Sequence, residues 1–83
     1  MAIRFHPHAL ERMVERGATE DEVRSTIEQG ERFPAQFGRT GFRRNFSFGG
    51  EWRRKHYNTK QVETLAAQEG DDWLVITVIT RYF

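Results

Sequence analysis

The chain has 83 residues, no cysteine and a formal net charge of +1. That length holds one domain, residues 1–83, whose core is small enough to need close packing or a homodimer. The missing cysteines exclude a disulfide framework and a thiolate zinc site. With no signal pattern and no apolar run near 18 residues, neither a membrane span nor a membrane partner is expected, and the location is expected to be cytoplasmic.

Ile3–Phe5 reads as a short strand or an extended lead-in, because Pro7 biases His6 towards extended backbone. A helix follows from Pro7 or His8 to Arg16, with proline tolerated in its first turn and Gly17 as its stop. Leu10, Met13 and Val14 form its apolar stripe and are expected to be buried. His8, Arg12 and Arg16 recur every four residues, each about 40° further round the helix. An imidazole beside two fixed cations suits phosphate handling. The same arginines also suit ion pairs with Glu11 and Glu15. With the apolar stripe on the sheet, His8 and Arg12 point roughly away from it.

Thr19 caps a second helix, with Glu22 completing a capping box, Val23 and Ile27 facing inward and Gly30 as its end. From Glu31 the apolar period becomes two. Arg32–Phe37 is interrupted by Pro34 and is an edge strand if it is a strand. Phe42, Arg44, Phe46 and Phe48 share one strand face, and Arg43, Asn45 and Ser47 take the other. Gly49-Gly50 is the expected hairpin turn, with a return strand from Trp52 to Tyr57. Val62–Gln68 is a further strand, turned by Gly70-Asp71-Asp72 into Trp73–Phe83. That last strand is apolar on both faces and is expected to be central. The expected architecture is α+β: an N-terminal helical hairpin on a mostly antiparallel sheet of about four strands.

Charge is segregated along this layout. Residues 1–31 carry four basic and seven acidic side chains, residues 32–60 eight and one, and residues 61–83 one and four. The basic third is interleaved with aromatic rings, the pairing an RNA or single-strand binder needs: cations for phosphates, rings for bases. Arg39, Arg43, Arg44, Arg53, Arg54, Lys55 and Tyr57 are the candidate nucleic-acid contacts. Three histidines without clustered carboxylates give no metal set, and no cofactor motif is present. RNA cleavage needs neither, since the 2′-hydroxyl attacks and the protein supplies a base, an acid and cations. Candidates for that work are His8 for proton transfer, Arg12, Arg16 and Lys60 for the anion, and Tyr57, Thr77, Thr80 and Tyr82 as hydroxyl groups. Thr77 and Thr80 lie on opposite strand faces, so one site takes only one of them.

His8-Ala9-x-x-Arg12-Met13-x-x-Arg16-Gly17, the acidic second helix and the terminal Val-Ile-Thr-Val strand resemble a small prokaryotic family of unknown function with a His-Ala-x-x-Arg-Met-x-x-Arg-Gly helix. The resemblance extends over Arg39-Thr40-Gly41-Phe42 and Tyr57-x-Thr59-Lys60-Gln61-Val62 and so covers nearly the whole chain. That family is grouped with the barnase–EndoU–colicin–RelE type ribonuclease toxins. The grouping implies two helices ahead of a four-stranded sheet, a metal-independent endoribonuclease, and a site built from His8, Arg12 and a last-strand hydroxyl. A short acidic antitoxin-like protein is the partner that it implies. The alternative expectation is a non-catalytic RNA-binding or protein-interaction module.

Overall fold

The computed structural model describes all 83 residues. Its elements are β1 (Ile3–Phe5), α1 (Pro7–Arg16), α2 (Glu20–Gln29), β2 (Glu31–Pro34), a 3-10 turn at Gln36–Gly38, β3 (Thr40–Trp52), β4 (Lys55–Glu69) and β5 (Asp72–Tyr82). The fold is α+β, with five strands in the order β1-β5-β4-β3-β2 rather than about four. Ile3–Phe5 supplies the extra one, parallel to Trp73–Val75; the other pairings are antiparallel. No helix is long and apolar enough to cross a membrane.

The helix ends follow from their local chemistry. His6 caps α1, its Nδ1 accepting the His8 backbone N–H at 3.1 Å. Gly17 closes α1 at φ 75°, in the left-handed region that favours glycine. Thr19 and Glu22 form the reciprocal capping box of α2, with bonds of 3.1 and 2.9 Å.

The buried face of α1 differs from the expected stripe. Ala9 and Met13 are buried and Arg16 is half-buried, whereas Leu10 is 41% and Val14 83% exposed. Ala9 has only a methyl group to hold the backbone off β5, so α1 docks on the Ala9–Met13–Arg16 side. That rotation divides the His8–Arg12–Arg16 stripe. Drift of about 40° per step turns Arg16 in towards the sheet, leaves Arg12 on the flank and carries His8 into solvent.

The two-faced apolar strand is flanked on both sides, but only over Trp73–Val75; the middle strand of the sheet is β4. Trp73, Val75 and Val78 pack beneath the helices. Leu74 and Ile79 point to the face that no helix covers and are half-buried there. Apolarity on both faces therefore marks a strand covered by helices on one side and only by neighbouring side chains on the other. β4 hides its central position because it carries buried Lys60 and Glu63.

The β3–β4 turn is also displaced. The strands run through Gly49-Gly50, past a bulge at Phe48-Gly49 that shifts the register, and turn at Arg53-Arg54 between the paired residues Trp52 and Lys55. A two-residue turn at Gly49-Gly50 would set Arg44 opposite Lys55, a like-charge pair; the observed register sets Arg44 opposite Val62 and Glu51 opposite His56. Gly49, at φ 55°, lets the bulged strand curl.

If α1 docks through Ala9 and Met13, Met13→Ala costs about 2–5 kcal/mol in urea unfolding. Val14→Lys stays within about 0.5 kcal/mol of the parent. A loss at Val14 as large as that at Met13 would contradict the docking face.

Candidate nucleic-acid interface

The C-terminal end of α1 is where helix, hairpin and last strand meet. The last carbonyls of a helix lack intrahelical partners and carry partial negative charge. Here the strands supply the donors. The Glu15 carbonyl accepts from Arg53 Nη2 at 3.2 Å. The Arg16 carbonyl accepts from the hydroxyls of Thr80 and Tyr82, both at 2.9 Å. The Gly17 carbonyl accepts from Lys60 Nζ, which also meets Glu22 Oε1 at 2.7 Å. Arg16 returns the contact by donating Nη1 to the Val78 carbonyl at 2.7 Å.

Aromatic rings pack around the same corner. Trp52 stacks on Tyr82 with centroids 4.9 Å apart, and Phe48 meets Tyr82 edge-on at 5.2 Å. A Cβ at position 17 would lie 2.6 Å from the Trp52 ring and 2.8 Å from the Tyr82 hydroxyl, so glycine is required by packing as well as by φ. Between the end of α1 and the hairpin tip, Arg16, Trp52, Arg53, Thr80 and Tyr82 line a hollow of about 220 Å³. A second hollow, about 390 Å³ and without a hydrophobic lining residue, lies between the end of α2 and β3, lined by Gln29, Gly30, Glu31, Arg43, Arg44, Asn45 and Gln61.

Of the catalytic candidates, Arg16, Lys60 and Thr80 converge on this corner, and His8, Arg12 and Thr77 do not. His8 is exposed in the first turn of α1 and lines neither hollow. Arg12 pairs with Glu15 at 2.7 Å, one of the alternative uses open to it in the sequence. Thr77 shares its sheet face with Arg81, away from the helices. Lys60 does converge, but with 5% exposure and its ammonium held by Gly17 and Glu22 it serves as a tie between β4 and the inter-helix corner. The proposed trio of His8, Arg12 and a last-strand hydroxyl thus does not assemble.

The nucleic-acid candidates are spread along β3 rather than gathered. Arg43 is bound to Glu63 at 3.2 Å and Glu31 at 3.7 Å on the uncovered face. Arg44 meets Ser25, and Arg39 lies over Phe37 at 5.9 Å. At the other end of β3, about 30 Å away, Arg53, Arg54 and Lys55 have no carboxylate within ion-pair distance. Lys55 sits 5.6 Å from the Tyr57 ring, and Tyr57 lies 5.7 Å from Tyr82. Arg53 and Arg54 both adopt left-handed backbone, at φ 52° and 70°. Such a turn favours Asn-Gly, because each non-glycine residue there costs about 1–2 kcal/mol.

Nothing in the local spacing marks Trp52 as part of the site, and Tyr82 stands there only as one of four candidate hydroxyl groups. Both became visible only once the hairpin turn moved to Arg53-Arg54, which brings the two rings together. The polar end of Tyr82 is tuned by this packing. Burial pushes its phenol above its ordinary value and the charge of Glu22 adds to that, while the Thr80 hydroxyl and Arg53 pull the other way. Near neutral pH it is therefore a hydrogen-bond donor, not a base. No group of three His, Asp or Glu side chains is placed to share a metal ion.

Comparison with protein-family models, curated proteins and solved structures gives no match.

The raised Tyr82 phenol fixes a pH dependence. Its contribution is fully present below the unfolded value of about 10 and is lost as pH rises through the higher folded value. Tyr82→Phe should therefore be less stable at pH 7, through the lost bond to Arg16, yet lose less between pH 9 and 12 than the parent. Chemical unfolding across that range checks it; parallel curves would remove Tyr82 from the alkaline transition.

Proposed function

We propose that this domain binds single-stranded RNA at the tip of the β3–β4 hairpin and the adjoining hollow. The observation that carries the reading is the Arg53-Arg54 turn. Two consecutive arginines occupy left-handed positions that Asn-Gly would fill at lower conformational cost. Strain of this kind persists where the surroundings or a function maintain it. The supporting chemistry is local: three consecutive cations without carboxylate partners, and the rings of Trp52, Tyr57 and Tyr82 beside them. Cations track the phosphates, and rings accept bases whatever their identity.

A metal-independent, toxin-type endoribonuclease is the second reading, favoured by the resemblance of the α1 motif and by two helices preceding the four antiparallel strands β2 to β5. In that reading Arg16 and Arg53 hold the phosphate, and Thr80 and Tyr82 fix the helix end that carries Arg16. His8 stands eight residues from Arg16, about 12 Å along the helix axis. A phosphate seated in the hollow is therefore out of hydrogen-bond reach of His8, and cleavage by His8 requires the strand to run along α1. An acidic partner of the antitoxin kind would compete with RNA for the same tip.

Binding of a single-stranded RNA should fall steeply with salt, and replacing Arg53, Arg54 and Lys55 with Gln should flatten the slope of log K against log salt by roughly 0.7 per lost contact. Arg43→Gln should leave it unchanged, since Glu31 and Glu63 already engage that guanidinium. An equal effect at Arg43 would spread the interface over the whole strand. Arg54→Gly should raise the melting temperature while weakening binding, separating the turn's function from its strain.

The cleavage reading is tested by digestion in EDTA. Activity that survives chelation and is lost in correctly folded His8→Ala supports it; activity unchanged in that variant removes His8.

A further inference from the structure

We propose that the hollow between Arg16 and Arg53 is a phosphate subsite, taking one phosphate of a nucleotide with part of its ribose while the attached base packs on the Arg53 guanidinium where it overlies Trp52. This rests on the RNA-binding reading and names the subsite at which the strand is held. Three observations support it together. First, both guanidiniums are oriented by the protein and remain mostly free. Arg16 uses Nη1 on the Val78 carbonyl and Arg53 uses Nη2 on the Glu15 carbonyl, out of five N–H donors each. Anchored forks of this kind meet phosphate oxygens with little further ordering.

Second, the surrounding charge is positive. Glu22, the acid whose charge acts on Tyr82, is paired with buried Lys60, and Glu15 is paired with Arg12. The helix-end carbonyls that would repel an anion already accept the hydrogen bonds of Arg53, Thr80, Tyr82 and Lys60. Third, size and shape limit the occupant. At about 220 Å³ the hollow is smaller than the roughly 300–1,000 Å³ that encloses a drug-sized ligand. Trp52 is half-buried, with Tyr82 stacked on its ring and the Arg53 guanidinium over the ring, 5.3 Å from its centroid. Base stacking on a guanidinium plane or an aromatic ring is sequence-tolerant, so the subsite reads the presence of a nucleotide and not its identity.

The test titrates the ¹⁵N-labelled full chain at low ionic strength with inorganic phosphate, adenosine 5′-monophosphate and a ten-nucleotide single-stranded RNA. Phosphate and the nucleotide are expected to shift the Thr80 and Tyr82 amides and the Trp52 indole, the nucleotide binding more tightly through its base. Arg53→Gln should weaken nucleotide binding at least fivefold, and Arg53→Lys should restore part of it; circular dichroism verifies that both variants fold. Shifts confined to other residues, or equal affinity in Arg53→Gln, overturn the subsite. RNA binding at the tip without nucleotide shifts in the hollow overturns the subsite and leaves the RNA reading standing. Nucleotide binding in the hollow with no gain for the ten-nucleotide RNA does the reverse.

Discussion

The fold depends on how the C-terminal end of α1 is satisfied. Three successive carbonyls, of Glu15, Arg16 and Gly17, accept from side chains that belong to the hairpin turn, β5 and β4. Two of those donors are cations, and a helix C-terminus favours them. The same Lys60 ammonium reaches Glu22, whose carboxylate also accepts the Thr19 N–H in the capping box of α2. One buried ammonium therefore fastens the end of one helix, the start of the next and the middle strand. Such a pair is dear to desolvate, and removing either partner leaves the other uncompensated, at about 3–5 kcal/mol. It holds the inter-helix corner over the rings of Phe48 and Tyr82, whose centroids lie 6.0 and 5.9 Å from the ammonium.

Much of this was legible in the residues. Both helices, the Thr19–Glu22 box and the stops at Gly17 and Gly30 follow from local chemistry and appear where that chemistry puts them. So do the two faces of β3: Phe42 and Arg44 look towards the helices, and Arg43 pairs with Glu63 on the other side. Three readings failed, each because a long-range contact outweighed a local signal. Leu10 and Val14 are more apolar than Ala9, but close approach to β5 selects the small residue. Gly49-Gly50 is the stronger turn dipeptide, but the pairing energy of fifteen-residue β4 places the turn at Arg53-Arg54. The strand apolar on both faces lies one place off the middle, because a sheet with helices on one side leaves Leu74 and Ile79 to lateral cover.

The candidate site was less legible than the fold, for a reason particular to helices. A four-residue spacing does not hold one angle, and over eight residues the drift of about 80° separates solvent from core. His8 and Arg16 belong to one motif in the sequence but to different surroundings in space. What the motif does mark correctly is Arg16-Gly17, the pair on which the corner is built. Tyr82 and Trp52 join them from 35 and more residues away, through a register that spacing within the sequence does not encode.

The short length of β2 has a separate consequence. It pairs with β3 only at Thr40–Arg43, so from Arg44 to Trp52 that strand has no neighbour on its outer side. A run of unpaired N–H and C=O groups is a template for edge-to-edge association between copies, the route by which sheet proteins aggregate. Here the edge carries a bulge at Phe48-Gly49 that bends the strand out of line, and basic side chains at both its ends. Two copies approaching edge to edge would bring Arg44 and the Arg53-Arg54-Lys55 cluster of each into mutual repulsion. The charge at the two ends of this edge thus opposes pairing between copies, and neutralising Arg44 and the Arg53-Arg54-Lys55 cluster would remove that opposition.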